Sequence, residues 1–206
     1  WKRTPNHKPA LIKGIRQSGK THAIRKFVYD KNNYEIVVYL NFWDNPELID
    51  AFDGKLDIDT IITELSVKLP LPNLIPGKTV FVFDEVQDCP RALLSLKTNE
   101  KDARFDFIAS GSYLGVNGYV VGDDTAKPVG STEPFDMRTM DFEEFLWAKG
   151  YKEEQISLIQ NAFESKEPLS NSMHGSFTRL FREYLCVGGF PESVKNYILT
   201  NNIYSS

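Results

Sequence analysis

Gly14-Ile15-Arg16-Gln17-Ser18-Gly19-Lys20-Thr21 follows the spacing G-x-x-x-x-G-K-T near the start of the chain. That spacing belongs to a loop that cradles phosphate oxygens with backbone N–H groups. Such a loop works as a turn between a buried strand and the N-terminus of a helix, where amide hydrogens and the helix dipole both favour a polyanion. Both flanks fit. Pro9-Ala10-Leu11-Ile12 reads as a short buried strand, and from Lys20 onward Ala23, Ile24, Phe27 and Val28 recur at helical spacing. Gly14 and Gly19 allow the backbone to curl without a Cβ in the way. The expected cofactor-binding set is Gly14, Ile15, Arg16, Gln17, Ser18, Gly19, Lys20, Thr21 and His22. Within it Lys20 would reach the β- and γ-phosphates, and the Thr21 hydroxyl would ligate Mg²⁺.

Thr79-Val80-Phe81-Val82-Phe83-Asp84-Glu85 supplies the second half of the expected site. An uninterrupted apolar run ending in two acids describes a strand buried on both faces, with its carboxyl end at a ligand crevice. This is the pattern of a Walker B segment: Asp84 would hold the metal through water, and Glu85 would orient or deprotonate an attacking water. A strand that stops at acids only for solubility would look similar. The phosphate loop upstream favours the functional reading.

The remaining patterning alternates as a parallel sheet demands. Glu35 to Leu40 is a second strand; Pro46 to Phe52 and Asp57 to Leu69 are helical, with Ile58, Ile61, Ile62, Leu65 and Leu69 on one face. A helix opens at Pro90 with Leu93, Leu94 and Leu96. Phe105 to Ala109 is a fourth strand running into Ser110-Gly111-Ser112. Gly115 to Gly130 reads as a flexible loop or hairpin, and Phe135 and Met137 as a fifth strand. From Asp141 the character is helical only: an acid-x-x-acid cap at Asp141 and Glu144, then helices across Glu153 to Glu164, Ser176 to Val187 and Pro191 to Leu199, the last after a Gly188-Gly189 break. The expected architecture is α/β, a three-layer P-loop core with a parallel sheet (1–139) followed by a small helical lid (140–206).

Composition narrows the classes. The net charge is −4 over 206 residues, yet residues 1–31 hold nine Lys/Arg against the single acid Asp30. This basic stretch could contact nucleic acid, but it also surrounds a site for a polyanion. No apolar run is long enough for a membrane span and no export signal is evident, so a soluble cytoplasmic enzyme domain is expected. Cys89 and Cys186 form no CxxC pair, and His7, His22 and His174 are scattered, so no zinc-type site is predicted. Cys186, between Leu185 and Val187, reads as a small core residue. Tyr39, Phe42 and Trp43 read as core and sheet-end packing, and Tyr184, Phe190 and Tyr197 as helix packing.

Four passages together resemble AAA-type ATP-binding proteins of bacteria and archaea, which carry an ATPase core followed by a C-terminal domain of unknown function. They are Gly14 to Thr21 in its Gly-x-Arg-Gln-x-Gly-Lys-Thr form, Phe83-Asp84-Glu85-Val86-Gln87-Asp88-Cys89-Pro90, Gly111-Ser112, and the Asp141 to Leu146 and Gly188 to Glu192 stretches. The resemblance implies Lys20, Thr21, Asp84 and Glu85 in the roles argued above, and ATP with Mg²⁺ as ligands. It also implies a catalytic polar side chain at the end of the fourth strand, with Ser112 the candidate and Ser110 the runner-up. A Ser-Gly-Ser turn without ligand contact is the alternative. Adenine preference comes from the family, since nothing like a guanine-reading Asn-Lys-x-Asp follows that strand. The chain starts at Trp1 and stops soon after Glu192, so the resemblance further implies missing parts at both ends.

One departure bears on rate. Family members often carry Gly-Arg shortly before the Phe-x-Glu-Phe-Leu stretch, a candidate arginine finger, and the pair standing here is Gly130-Ser131. Such a finger is worth roughly 10³ to 10⁵ in rate, so slow hydrolysis is expected unless Arg104 or Arg138 substitutes. Surface solubility is the plainer role for both. Arg179 and Arg182 are candidates for a second sensor by fold analogy alone. The expected function is an ATPase whose hydrolysis drives a conformational change. A nucleotide-dependent switch or scaffold with negligible hydrolysis and, less favoured, a P-loop kinase are the alternatives. An unidentified protein partner and homo-oligomerisation are compatible with the family.

Overall fold

A computed structural model of the chain describes residues 1–112 and 130–202. The chain divides into two compact units, Trp1–Arg16 with Lys20–Met137, and Arg138–Ser206 with Gln17–Gly19.

Among the described residues the larger unit is built on five strands, all parallel: β1 (Ala10–Gly14), β2 (Ile36–Asn41), β3 (Thr79–Asp84), β4 (Asp106–Ser112) and β5 (Glu133–Asp136), in the order β2-β3-β4-β1-β5. The period-two alternation of β1 to β4 feeds two cores, one per face of the sheet. Phe81 and Phe83 of β3 enter one, Val80 and Val82 the other, and every residue of β3 is buried. On the first face lie a 3₁₀ helix (Pro46–Phe52), α2 (Ile58–Lys68) and α3 (Pro90–Asn99), which bring Phe52, Ile61, Leu65 and Leu96 against the sheet. There Phe52 meets Phe42 and Phe83 edge-on at 5.4 Å each. On the second face α1 (Lys20–Val28) contributes Ile24 and Val28. Helices on both faces of a parallel sheet make the three-layer α/β class.

Several boundaries differ from the sequence reading, each for a local reason. β4 does not stop before the serines, because Ser110, Gly111 and Ser112 pair with Ile12, Lys13 and Gly14 of β1. The Ser-Gly-Ser segment is therefore strand rather than turn. Pro46–Phe52 is a 3₁₀ helix, bracketed by i→i+3 bonds from Leu48 N–H to Asn45 O and from Asp53 N–H to Asp50 O. The stretch read as a flexible loop, Gly115 to Gly130, lies outside the described residues except for Gly130.

The smaller unit contains α4 (Phe142–Ala148), α5 (Glu153–Ser165), α6 (Asn171–Val187) and α7 (Pro191–Thr200). Asp141 and Glu144 form a reciprocal capping box at α4. α6 begins earlier than Ser176 because Ser170 caps it, accepting from Met173 N–H, and the helix runs through Gly175. The Gly188-Gly189 break is structural. Gly188 ends α6 at φ 79°, while a Cβ on Gly189 would lie 2.2 Å from the Met140 carbonyl oxygen. Phe145, Val187, Val194 and Tyr197 form one core cluster here, and Leu146, Ile156 and Leu180 another. Cys186 is exposed, contrary to its reading as a core residue, because the neighbouring Val187 takes the inward position on α6. Trp43 and Phe190 are likewise exposed, whereas Phe42 is buried. No helix among the described residues is long and apolar enough to cross a membrane.

Candidate nucleotide-binding site

Residues 15–19 connect β1 to α1, so the phosphate-loop pattern occupies the strand-to-helix turn its chemistry needs. Gly19 has φ 94° and Gln17 φ 63°. The left-handed curl thus falls at Gln17 and Gly19, while Gly14 remains in the sheet opposite Ser112. Ser18 and Lys20 are buried; Ile15, Arg16, Gln17 and His22 are exposed. The first turn of α1 carries no acidic side chain, which leaves its positive dipole end uncompensated.

Lys20 Nζ donates to the carbonyls of Gly14 (3.0 Å) and Ile15 (2.7 Å) and to Ser112 Oγ (3.4 Å). Burial lowers the affinity of this amine for its proton, and the nearby Glu85 and Asp84 carboxylates work in the opposite sense.

Asp84, with no exposed surface, is where the site converges. Its Oδ2 accepts from Thr21 Oγ1 at 3.0 Å and from the Tyr39 hydroxyl at 2.6 Å. Its Oδ1 accepts from Ser110 Oγ and from the Glu85 N–H at 3.2 Å. Tyr39 was not foreseen as part of the site. Burial, followed by the bond to Asp84, raises its phenol far above the ordinary range, so it remains a donor. The Arg25 guanidinium lies 4.9 Å from the centre of its ring. Ser110, the runner-up at the end of β4, touches the Asp84 carboxylate, whereas Ser112 touches Lys20. Strand alternation brings both to the same face.

Glu85 adopts φ 59°, a left-handed conformation uncommon outside glycine. Its carboxylate accepts from Gln87 Nε2 at 2.5 Å, and Gln87 Oε1 accepts from the Ser112 N–H at 3.1 Å. Gln87 also lacked an assigned role, although it stands within the Phe-Asp-Glu-Val-Gln-Asp passage.

The donor set fits Mg²⁺. Thr21 Oγ1 and Asp84 Oδ2 are hard oxygen donors 3.0 Å apart that could hold it, since this ion is ordinarily bound by one or two protein oxygens together with phosphate. Among the described residues no group of three or more His, Cys, Asp or Glu side chains is placed to hold a metal.

Arg104, one of the two arginines considered as finger substitutes, is engaged away from this site. Standing before the first residue of β4, it is bound to Asp102 (2.7 Å) and Asp59 (3.0 Å), at the opposite end of that strand from Ser112. Arg138, Arg179 and Arg182 are exposed residues of the helical unit. Part of the basic N-terminal stretch is neutralised by acids: Lys2 with Asp106 (4.0 Å), Lys8 with Glu100 (3.6 Å) and Lys13 with Asp136 (3.3 Å).

A parallel sheet carrying a glycine-rich strand-to-helix loop, opposite a buried strand-end carboxylate, defines a nucleotide-binding, ATPase-like P-loop core. The chain belongs to the AAA domain family, whose model matches residues 6–146. Among solved structures it is similar in fold to PCH-2 of C. elegans, with TM-score 0.51 and 13% identity over 94% of this chain and 56% of that one. AMPPCP-bound DnaA from Aquifex aeolicus aligns with TM-score 0.49 and 15% identity, over 94% of this chain and 54% of that one. The chain thus spans just over half the length of either. No curated protein matches it.

Proposed function

We propose that the core binds Mg²⁺-ATP on the loop from Gly14 to His22 and hydrolyses it slowly, with Glu85 as general base. The convergence of Thr21, Asp84, Glu85, Lys20 and Ser112 at the carboxyl ends of β1, β3 and β4 carries this reading. In it the loop amides and Lys20 bind the β- and γ-phosphates, while Thr21 and Asp84 hold the metal. Ser112 helps place the hydrolytic water and Glu85 accepts a proton from it. Bound Mg²⁺ would neutralise charge on the phosphate oxygens. Residues 1–139 act as the ATPase core and 140–206 as a helical lid whose arrangement responds to hydrolysis. The ion pairs of Lys2, Lys8 and Lys13 favour a polyphosphate over nucleic acid as the polyanion for this basic stretch.

A nucleotide-dependent switch is the second reading, favoured by Gly130-Ser131 standing where the family resemblance places an arginine. Measuring Mg²⁺-ATP binding and phosphate release beside Lys20→Ala and Glu85→Gln separates the two. Binding lost in Lys20→Ala and turnover lost in Glu85→Gln is the expected result. Tight binding with no release by the unaltered chain would establish the switch, and full turnover in Glu85→Gln would remove Glu85 as the base.

A further inference from the structure

We infer that Gln87 is a positioning residue for the reaction: its side-chain amide sets the Glu85 carboxylate against the end of β4. The inference rests on the hydrolytic reading above. Glu85 leaves β3 in a left-handed conformation, so its carboxylate is not aimed by strand geometry and needs a partner to select one rotamer. Gln87 supplies that partner, Nε2 donating to Glu85 Oε2 at 2.5 Å and, at 3.4 Å, to Asp88 Oδ2. The other end of the same amide accepts the Ser112 N–H at 3.1 Å. Ser112 Oγ in turn accepts from Lys20 Nζ at 3.4 Å. The chain Lys20–Ser112–Gln87–Glu85 therefore links the side chain assigned to the phosphates with the one assigned to water.

The residue type suits the task. A primary amide donates at one end and accepts at the other, which is what a bridge from a backbone N–H to a carboxylate requires. Glutamate would still accept from Ser112 but would set a second negative charge against Glu85, and alanine would remove both bonds. The turn that carries Gln87 is itself tied to β4, since Val86 N–H donates to Ser110 O at 2.9 Å. The turn is accordingly tied to β4 by the Val86 backbone and by the Gln87 side chain.

The test is steady-state phosphate release by the full chain and by Gln87→Ala and Gln87→Glu, with Mg²⁺-ATP affinity and melting temperature measured on each. Misplacing a reacting group by about 1 Å costs on the order of 10²-fold, so kcat is expected to fall about that much in both variants. KM, affinity and melting temperature should hold. Unchanged kcat would overturn the assignment while leaving Glu85 as the base. A parallel loss of affinity or melting temperature in both variants would also overturn it, marking a merely structural residue. If the unaltered chain binds nucleotide but releases no phosphate, the hydrolytic reading fails and the role of Gln87 fails with it.

Discussion

Thr21 Oγ1 donates to Asp84 Oδ2 across 3.0 Å, joining the last residue of the phosphate-loop motif to the last residue of β3. The Tyr39 hydroxyl donates to the same oxygen from β2. Partners of metal-holding groups typically contribute about 10- to 100-fold in metal affinity, so Tyr39→Phe is expected to weaken Mg²⁺-dependent nucleotide binding by about tenfold. Thr21→Ala should weaken it more, because it removes a proposed ligand itself. Titrating Mg²⁺ at fixed nucleotide checks both, and equal affinities in all three proteins would detach this cluster from metal binding.

Gly189 has no room for a side chain, since an added Cβ would meet Met140 O at 2.2 Å and Thr139 Cβ at 3.1 Å. Overpacking of this kind costs about 1–3 kcal/mol, and Gly189→Ala should lower the melting temperature accordingly. Gly54→Ala is the matched control, because open space surrounds that position. Its effect should stay within about 0.5 kcal/mol.

Arg104 bridges Asp102 and Asp59 on an exposed surface. Exposed pairs contribute about 0–1 kcal/mol, so Arg104→Ala is expected to cost little stability and to leave phosphate release unchanged. A large fall in turnover would make it the missing arginine after all.

Glu183 in the helical unit introduces a pH dependence. Burial alone would raise its carboxyl, but hydrogen bonds from Lys149 and Tyr197 outweigh that and hold it below the ordinary glutamate value of 4.5. A depressed folded value means the stabilisation is fully present above the unfolded pKa and is lost as pH falls through the folded one. The melting temperature should therefore decline on acidification below about pH 4.5. Glu183→Gln should melt lower at neutral pH and show a flatter acid limb. An unchanged acid limb in that variant would place the acid sensitivity elsewhere.

Most of the fold was legible because its signals are local. The uninterrupted apolar run of Thr79 to Phe83 announced a strand buried on both faces, and the Asp141/Glu144 spacing announced a helix start that the capping box realises. Where the reading slipped, a neighbour in space decided. β4 runs on through Ser112 because β1 lies alongside to accept the pairing. Cys186 faces solvent because rotation about α6 gives Val187 the inward position.

The candidate site divides in the same way. Gly14 to Thr21 and the Asp84-Glu85 pair could be read from the chain alone, because each is a contiguous segment whose spacing carries its chemistry. Tyr39 and Gln87 could not, because each acts through a partner distant in the chain. Tyr39 meets Asp84 across 45 residues, and Gln87 meets Ser112 across 25. Sequence spacing specifies which groups lie on one strand, loop or helix, whereas the order in which parallel strands lie side by side brings the ends of β1, β2, β3 and β4 together. Only that lateral order gave Asp84 its donors from Thr21, Tyr39 and Ser110, and gave Gln87 its anchor at Ser112.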